Sequence, residues 1–251
     1  MTEDDRGTVN RRGVLGIAAA GTLIAAATAR AQPYAKVREN IAIIGTGNVG
    51  STLGKAWAAL GHTIIYGSRT PQSDKAKQLA KETGNGATVR SQIDATASMA
   101  IVLLAAPAQV ALEIVAGLGD LSGKILIDAM NAMSFKDGRL IEPDDPIGLA
   151  AQIQALAPGA AVVKAFNTTN SRVMSGAQAV TGGPVSLPIA GANPQVRARV
   201  AALAADIGFD VLDMGGPEAF KQVEHLGRIY VAYAVAHRPE RLEFNFRTWR
   251  A

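Results

Sequence analysis

The stretch "IAIIGTGNVGSTLGKAWAAL", residues 41–60, decides the fold. Its opening, Ile41 to Gly45, is short, apolar and β-branched and ends at glycine, which reads as a buried strand. From Asn48 the spacing becomes helical, and the helix stops at Gly61. Between them, "GTGNVG" fits G-x-G-x-x-G across Gly45, Thr46, Gly47, Asn48, Val49 and Gly50. Alone this pattern is weak, but here it lies between a strand and a helix, where a dinucleotide pyrophosphate needs it. Gly45 permits the tight turn, Gly47 lets the backbone approach the pyrophosphate, and Gly50 lets helix and strand pack closely. The amides of Thr46, Asn48 and Val49 then face the phosphates at the positive helix end.

Working outward, short apolar runs alternate with helical patterns along the chain. "HTIIYG" (62–67) is a second strand, and "SDKAKQLAKETG" (73–84) is an amphipathic helix capped by Gly84. Further strands are expected at 87–90, 99–106, 123–129, 160–166, 185–191 and 209–215. Helices are expected after Pro107, from Gly148 to Ala157, and from Pro194 to Ile207. This alternation predicts an α/β fold, a Rossmann-type doubly wound and mostly parallel sheet covered on both faces. The domain spans residues 38–215, and 216–251 form a short C-terminal helical segment with an irregular end.

"YGSRT", Tyr66 to Thr70, sits where NAD-binding chains place an acid that accepts hydrogen bonds from the ribose hydroxyls. No acid occurs here until Asp74. A carboxylate would repel a 2′-phosphate, whereas a guanidinium grips it bidentately and stacks on adenine. Arg69 is that guanidinium, Ser68 and Thr70 add hydroxyl donors, and Lys75 adds a second cation. The pattern favours NADP(H) over NAD(H).

Composition narrows the function. The 251 residues are 48% hydrophobic and 18% charged, with a net charge of +4 spread along the chain. With neither a Lys/Arg block nor an aromatic-rich basic motif, nucleic acid is not an expected partner. The absence of cysteine excludes disulfides, thiolate metal sites and Cys nucleophiles. His62, His225 and His237 make no metal-ligand spacing, so no metal site is expected. Residues 1–31 read as an export signal: Arg11-Arg12, an uncharged run from Gly13 to Ala29, and "ARA" before Gln32. The paired arginines resemble a twin-arginine signal. The expectation is cleavage after Ala31, a periplasmic or secreted protein, and no stable membrane anchor.

"IGTGNVG", "YGSRT", "GKILIDAMN" and "PGAAVVKAFNT" occur in that order. Together they resemble the deazaflavin-dependent NADP oxidoreductase family (coenzyme F-420 type) and the cytosolic NADPH domain of six-transmembrane ferric reductases. The resemblance covers about residues 39–215. It implies that hydride passes between NADPH and a flavin or deazaflavin stacked on the nicotinamide. By position it implies that Thr46, Asn48 and Val49 hold the diphosphate, and that Ser68, Arg69 and Thr70 hold the 2′-phosphate. Ala105, Ala106 and Pro107 would line the nicotinamide ribose, with Asn131 and Asn167 at neighbouring strand ends.

No convincing acid or base accompanies this half-site. His62 opens a strand and reads as structural. Lys164 alternates away from the cofactor edge, and the adjacent Glu224 and His225 diverge around a helix. Lys221 could mimic the helix lysine of β-hydroxyacid dehydrogenases, but those enzymes carry a large helical domain after the Rossmann unit. Hydride transfer to a flavin-type ring needs geometry more than a protein acid, because the cofactors carry the chemistry. Two other readings stay open: a non-catalytic NADP(H) sensor, and a carbonyl or imine dehydrogenase using Lys221. The C-terminal segment is expected to cover the nicotinamide poorly, which suggests a homodimer, and the partner is a small-molecule redox acceptor.

Overall fold

The computed structural model describes residues 37–137, 139–141, 145–238 and 244–248; the expected signal at 1–31 lies outside them. The first strand, β1 (Asn40–Ile44), is apolar without alternation because both of its faces are covered. Ile41 and Ile43 join one apolar cluster while Ala42 and Ile44 join a second on the opposite face. Helix α1 (Asn48–Ala59) returns the chain to β2 (Thr63–Gly67), which pairs parallel to β1. Helix α2 (Asp74–Thr83) is capped by Ser73, whose hydroxyl accepts the Ala76 amide, and β3 (Thr88–Arg90) closes that edge.

The chain then crosses by α3 (Gln92–Ala97) to β4 (Ile101–Leu104), on the other side of β1. A 3₁₀ turn and α4 (Ala111–Ala116) lead to β5 (Ile125–Asp128). A small antiparallel hairpin of β6 (Ser134–Lys136) and β7 (Arg139–Ile141) follows. Helix α5 (Leu149–Leu156) connects to β8 (Ala161–Lys164), and the short α6 (Ser171–Met174) and α7 (Ala177–Thr181) lead to β9 (Val185–Gly191). Helix α8 (Pro194–Asp206), β10 (Phe209–Asp213) and α9 (Phe220–Ala236) complete the described elements.

The main sheet runs β10-β9-β8-β5-β4-β1-β2-β3. It is parallel except where β9 pairs antiparallel with β8, and only through Val163–Gly191 and Lys164–Ala190. That short pairing tolerates Pro188, which has no N–H to give a ladder. At the opening of β9, Ser186 donates its amide to the Phe246 carbonyl at 2.8 Å, so the irregular tail docks on the sheet.

The structure adds two features to these expectations. The strand alternation missed the hairpin, whose strands of three residues are too short to show a period. The C-terminal segment also does more than trail from the sheet. Helix α9 packs on β8 and β9, with Phe220 and Val223 buried in the second cluster.

His62 is buried where β2 begins. Its Nδ1 accepts the Glu39 amide at 3.0 Å, and its Nε2 lies 3.8 Å from Asp206. Burial holds the imidazole below its ordinary 6.5, and the Asp206 and Glu39 carboxylates only partly oppose that. The unfolded chain therefore binds more protons between 6.5 and the lowered folded value, so stability is full above that window and falls as pH drops through it. Chemical denaturation from pH 7.5 to 5 should show this loss, and His62→Gln, which keeps an acceptor for Glu39, should flatten it. An unchanged slope in the variant would assign the effect to other groups.

Candidate cofactor site

The strand order puts the exits of β2, β1, β4, β5 and β8 side by side along one edge. The chain reverses direction between β1 and β4, the place where open α/β sheets leave a crevice for ligands. Gly45 has φ +114°, and a Cβ there would run into the Ala105 carbonyl. A Cβ at Gly50 would strike the carbonyl of Gly45. These two glycines bring the β1 exit, the β4 exit and the start of α1 into backbone contact. Gly47 differs: a Cβ there meets nothing within 4 Å, and its φ of −75° suits any residue. It is the N-cap of α1, with no side-chain cap and no acid in the first turn. The amides at this helix end are left for an anion. Asn48 is exposed, and Thr46 and Val49 are half-buried beside it.

At the β2 exit, Ser68 donates its amide to the Arg90 carbonyl at 2.9 Å, and its hydroxyl accepts the Thr70 amide at 3.1 Å. The turn is therefore fixed while its side chains stay outside. Arg69 and Thr70 are exposed, as is Lys75 on the first turn of α2, and among the described residues neither cation has an ion pair. Sequence reasoning missed Arg90. It lies twenty-one positions beyond Arg69, but the parallel register of β3 sets it opposite Gly67 and so beside that turn. Arg90 is also exposed with no ion pair among the described residues, which makes it a second guanidinium at this end.

At the opposite end, Ala105 and Ala106 are half-buried and Pro107 is exposed, leaving a low edge at the β4 exit. Asn131 and Asn167 are brought together as expected: Asn131 Nδ2 donates to the Asn167 carbonyl at 2.8 Å. Only Asn131 is partly exposed. Asn167 lies under α9, where Nδ2 donates to the Val223 carbonyl at 2.9 Å and Gly227 leaves no room for a methyl. Asn167 therefore supports Asn131 from beneath and does not line the edge, and α9 covers a strand exit expected to be bare.

A cavity of about 390 Å³ opens beside this edge, lined by Ala108, Leu112, Ala132, Met133 and Leu149 among others. Three of its polar side chains are engaged with the protein itself. Gln109 Nε2 donates to the Met133 carbonyl, while Asp145 accepts the Ile147 and Gly148 amides and the Gln152 side chain. A larger depression of about 760 Å³ lies at the far end of α1, near Ala59 and Leu60, away from the glycine turn.

Lys221, Lys164 and Glu224 are each engaged within the fold. Lys221 Nζ donates to the Pro146 carbonyl at 2.7 Å, tying α9 to a loop. Lys164 is fully buried and paired with Asp128, while Glu224 is buried and His225 exposed, so these last two form no dyad. Among the described residues no group of three or more His, Asp or Glu side chains could hold a metal.

Residues 40–132 match the family described as NADP oxidoreductase, coenzyme F420-dependent. A protein from Arthrobacter sp. FB24 described as a putative F420-dependent NADP-reductase superposes with TM-score 0.76 and 29% identity, over 84% of this chain and 100% of that one. A hypothetical protein from Sinorhizobium meliloti superposes with TM-score 0.62 and 30% identity, over 72% of this chain and 87% of its own. Metalloreductase STEAP3 of Rattus norvegicus is 26% identical over 189 residues, 75% of this chain. The chain spans only 36% of that rat protein's length.

The glycine turn yields a paired prediction. Gly47→Ala should cost about 0.5–1 kcal/mol for the poorer cap, a shift of a few degrees in melting temperature, yet bind NADPH more weakly. Gly50→Ala should destabilise by about 1–3 kcal/mol through overpacking. Thermal melts with and without NADPH separate the two; equal destabilisation of both variants would show that Gly47 serves the fold.

Proposed function

Taking the chain as an NADP-dependent oxidoreductase, the class of its matched family, we propose that it passes hydride between NADP(H) and a flavin- or deazaflavin-type ring. The observation that carries this reading is the edge at Ala105–Pro107. Small side chains there leave space for two rings in contact, and the neighbouring cavity has an apolar floor suited to the face of a fused ring system. Among the described residues, no lysine or histidine stands free at this edge to supply a proton. Lys221 is held by Pro146, and Lys164 is sealed in the core. A carbonyl or imine substrate would need such a donor, whereas transfer between stacked rings draws on positioning. Fitted to this edge, NADP(H) would place its diphosphate on the α1 terminus and its 2′-phosphate at Ser68, Arg69 and Thr70. The nicotinamide would then lie at the β4 and β5 exits. When bound, the cofactor supplies the hydride; the residues named here bind and orient it.

Losing a charge-assisted hydrogen bond costs about 1.5–3 kcal/mol, or roughly 10- to 150-fold in affinity. Arg69→Ala should weaken NADPH by that order while leaving NADH almost unchanged. Arg90→Ala should act in the same direction to a smaller degree. Equal losses for both nucleotides in calorimetric titrations would count against a 2′-phosphate site here.

The ring-stacking reading is tested by Ala106→Phe. Reduction of a flavin or deazaflavin should fall to background while 2′,5′-ADP binds as before. If the native protein binds NADPH but reduces neither acceptor, the sensor reading replaces this one. Turnover that survives in the variant would place the acceptor elsewhere.

A further inference from the structure

Three charged side chains are withdrawn from water where the sheet meets α5 and α9. Lys164 and Asp128 are fully buried and Glu224 is nearly so. Lys164 Nζ donates to Asp128 Oδ2 at 2.8 Å and to the Met130 carbonyl at 2.5 Å, and lies 3.9 Å from Glu224 Oε1. That same Glu224 oxygen accepts the Ala150 amide, at the start of α5, at 2.9 Å. Burying charges in this way costs several kcal/mol per ion, and apolar side chains of similar volume are often as stable or more so. Stability alone gives no reason for a lysine here.

The bonds converge on one residue. Asp128 Oδ1 accepts the Met130 amide at 2.9 Å, and Lys164 holds the Met130 carbonyl. Both backbone groups of Met130 are thus pinned, and the next residue is Asn131. Asn131 is held in turn by Asn167, which is tied to Val223 and pressed by Gly227 of α9. The Oδ1 atom of Asn167 is buried and has no partner among the described residues, a cost of about 1–3 kcal/mol that its geometry retains. The turn leaving β5 is therefore fixed through its backbone and its side chain together. It adjoins the β4 exit, since Ala129 donates its amide to the Leu104 carbonyl at 3.1 Å.

We propose that Lys164, with Asp128, is a positioning residue for the nicotinamide half of the cofactor. Neither side chain touches the ligand. They set the height of the Met130–Asn131 turn, which supports the ring beside Ala105–Pro107. The proposal rests on the NADP(H) reading above and deepens it at the ring end.

The test compares two probes on the full chain. 2′,5′-ADP carries the adenine half alone, while NADPH adds the nicotinamide, whose fluorescence reports its surroundings. Lys164→Met combined with Asp128→Asn removes one charge of each sign and leaves Glu224 on the α5 terminus. The double variant should bind 2′,5′-ADP like the native protein, bind NADPH about tenfold more weakly, and lose the fluorescence gain of bound nicotinamide. Equal losses for both probes, or no loss for either, would overturn the positioning role. If the double variant does not fold, Asp128→Asn alone leaves Lys164 opposite Glu224 and is read by the same criteria. Native protein that binds NADPH no better than NADH and ignores 2′,5′-ADP would refute the NADP(H) reading itself, and this proposal with it.

Discussion

At Gly45 and Gly50 the backbones of β1, β4 and α1 meet with no space for a side chain between them. That close approach organises the site. It requires glycine with φ +114° at the first position and bare backbone at the second. It also sets the open N-terminus of α1 directly beside the β4 exit, the two places where the proposed reading puts the diphosphate and the nicotinamide. Gly47, under no such packing demand, is the place where the chain leaves room for something other than itself.

From this junction the strand order lays out the two ends of an extended ligand. Toward β2 and β3 the edge carries exposed guanidinium groups and a hydroxyl-fixed turn with no carboxylate. Toward β5 and β8 it becomes small and apolar, and its polar groups turn inward. The backbone at Phe166 helps to produce that inward turn. Its φ of 63° is left-handed, which costs a bulky residue roughly 1–2 kcal/mol. Edge-to-face packing of the buried ring on Trp57 and Phe209 offsets that cost. The next residue, Asn167, is sent beneath α9, where it braces Asn131.

The parts of this arrangement that depend on local pattern were readable in the sequence. The strand–turn–helix at 41–60, the missing acid after β2 and the later strands follow from periodicity and from what glycine and arginine can do. The parts that depend on register were not. Arg90 comes beside the Ser68–Thr70 turn only because β3 lies parallel to β2. The family resemblance implied Asn167 at the cofactor edge, but its burial under α9 is a tertiary fact. Lys164 was correctly read as turned from the edge, yet nothing local shows that it meets Asp128 across a strand pair and Glu224 from a helix sixty residues later. The covering role of α9 was missed for the same reason. A single amphipathic helix does not announce which strand exits it will occupy.

Direct hydride transfer between stacked rings is the central claim, and isotope transfer tests it most directly. A deazaflavin keeps the transferred hydrogen on carbon, so it does not wash out into water as it would from a flavin nitrogen. NADPH deuterated at the transferring C4 position would be incubated anaerobically with the protein and a deazaflavin, and the reduced product weighed by mass spectrometry. Direct transfer leaves one deuterium per reduced deazaflavin, with none arriving from deuterated water. Reduced product that takes its hydrogen from solvent, or no reduction despite tight NADPH binding, would contradict it.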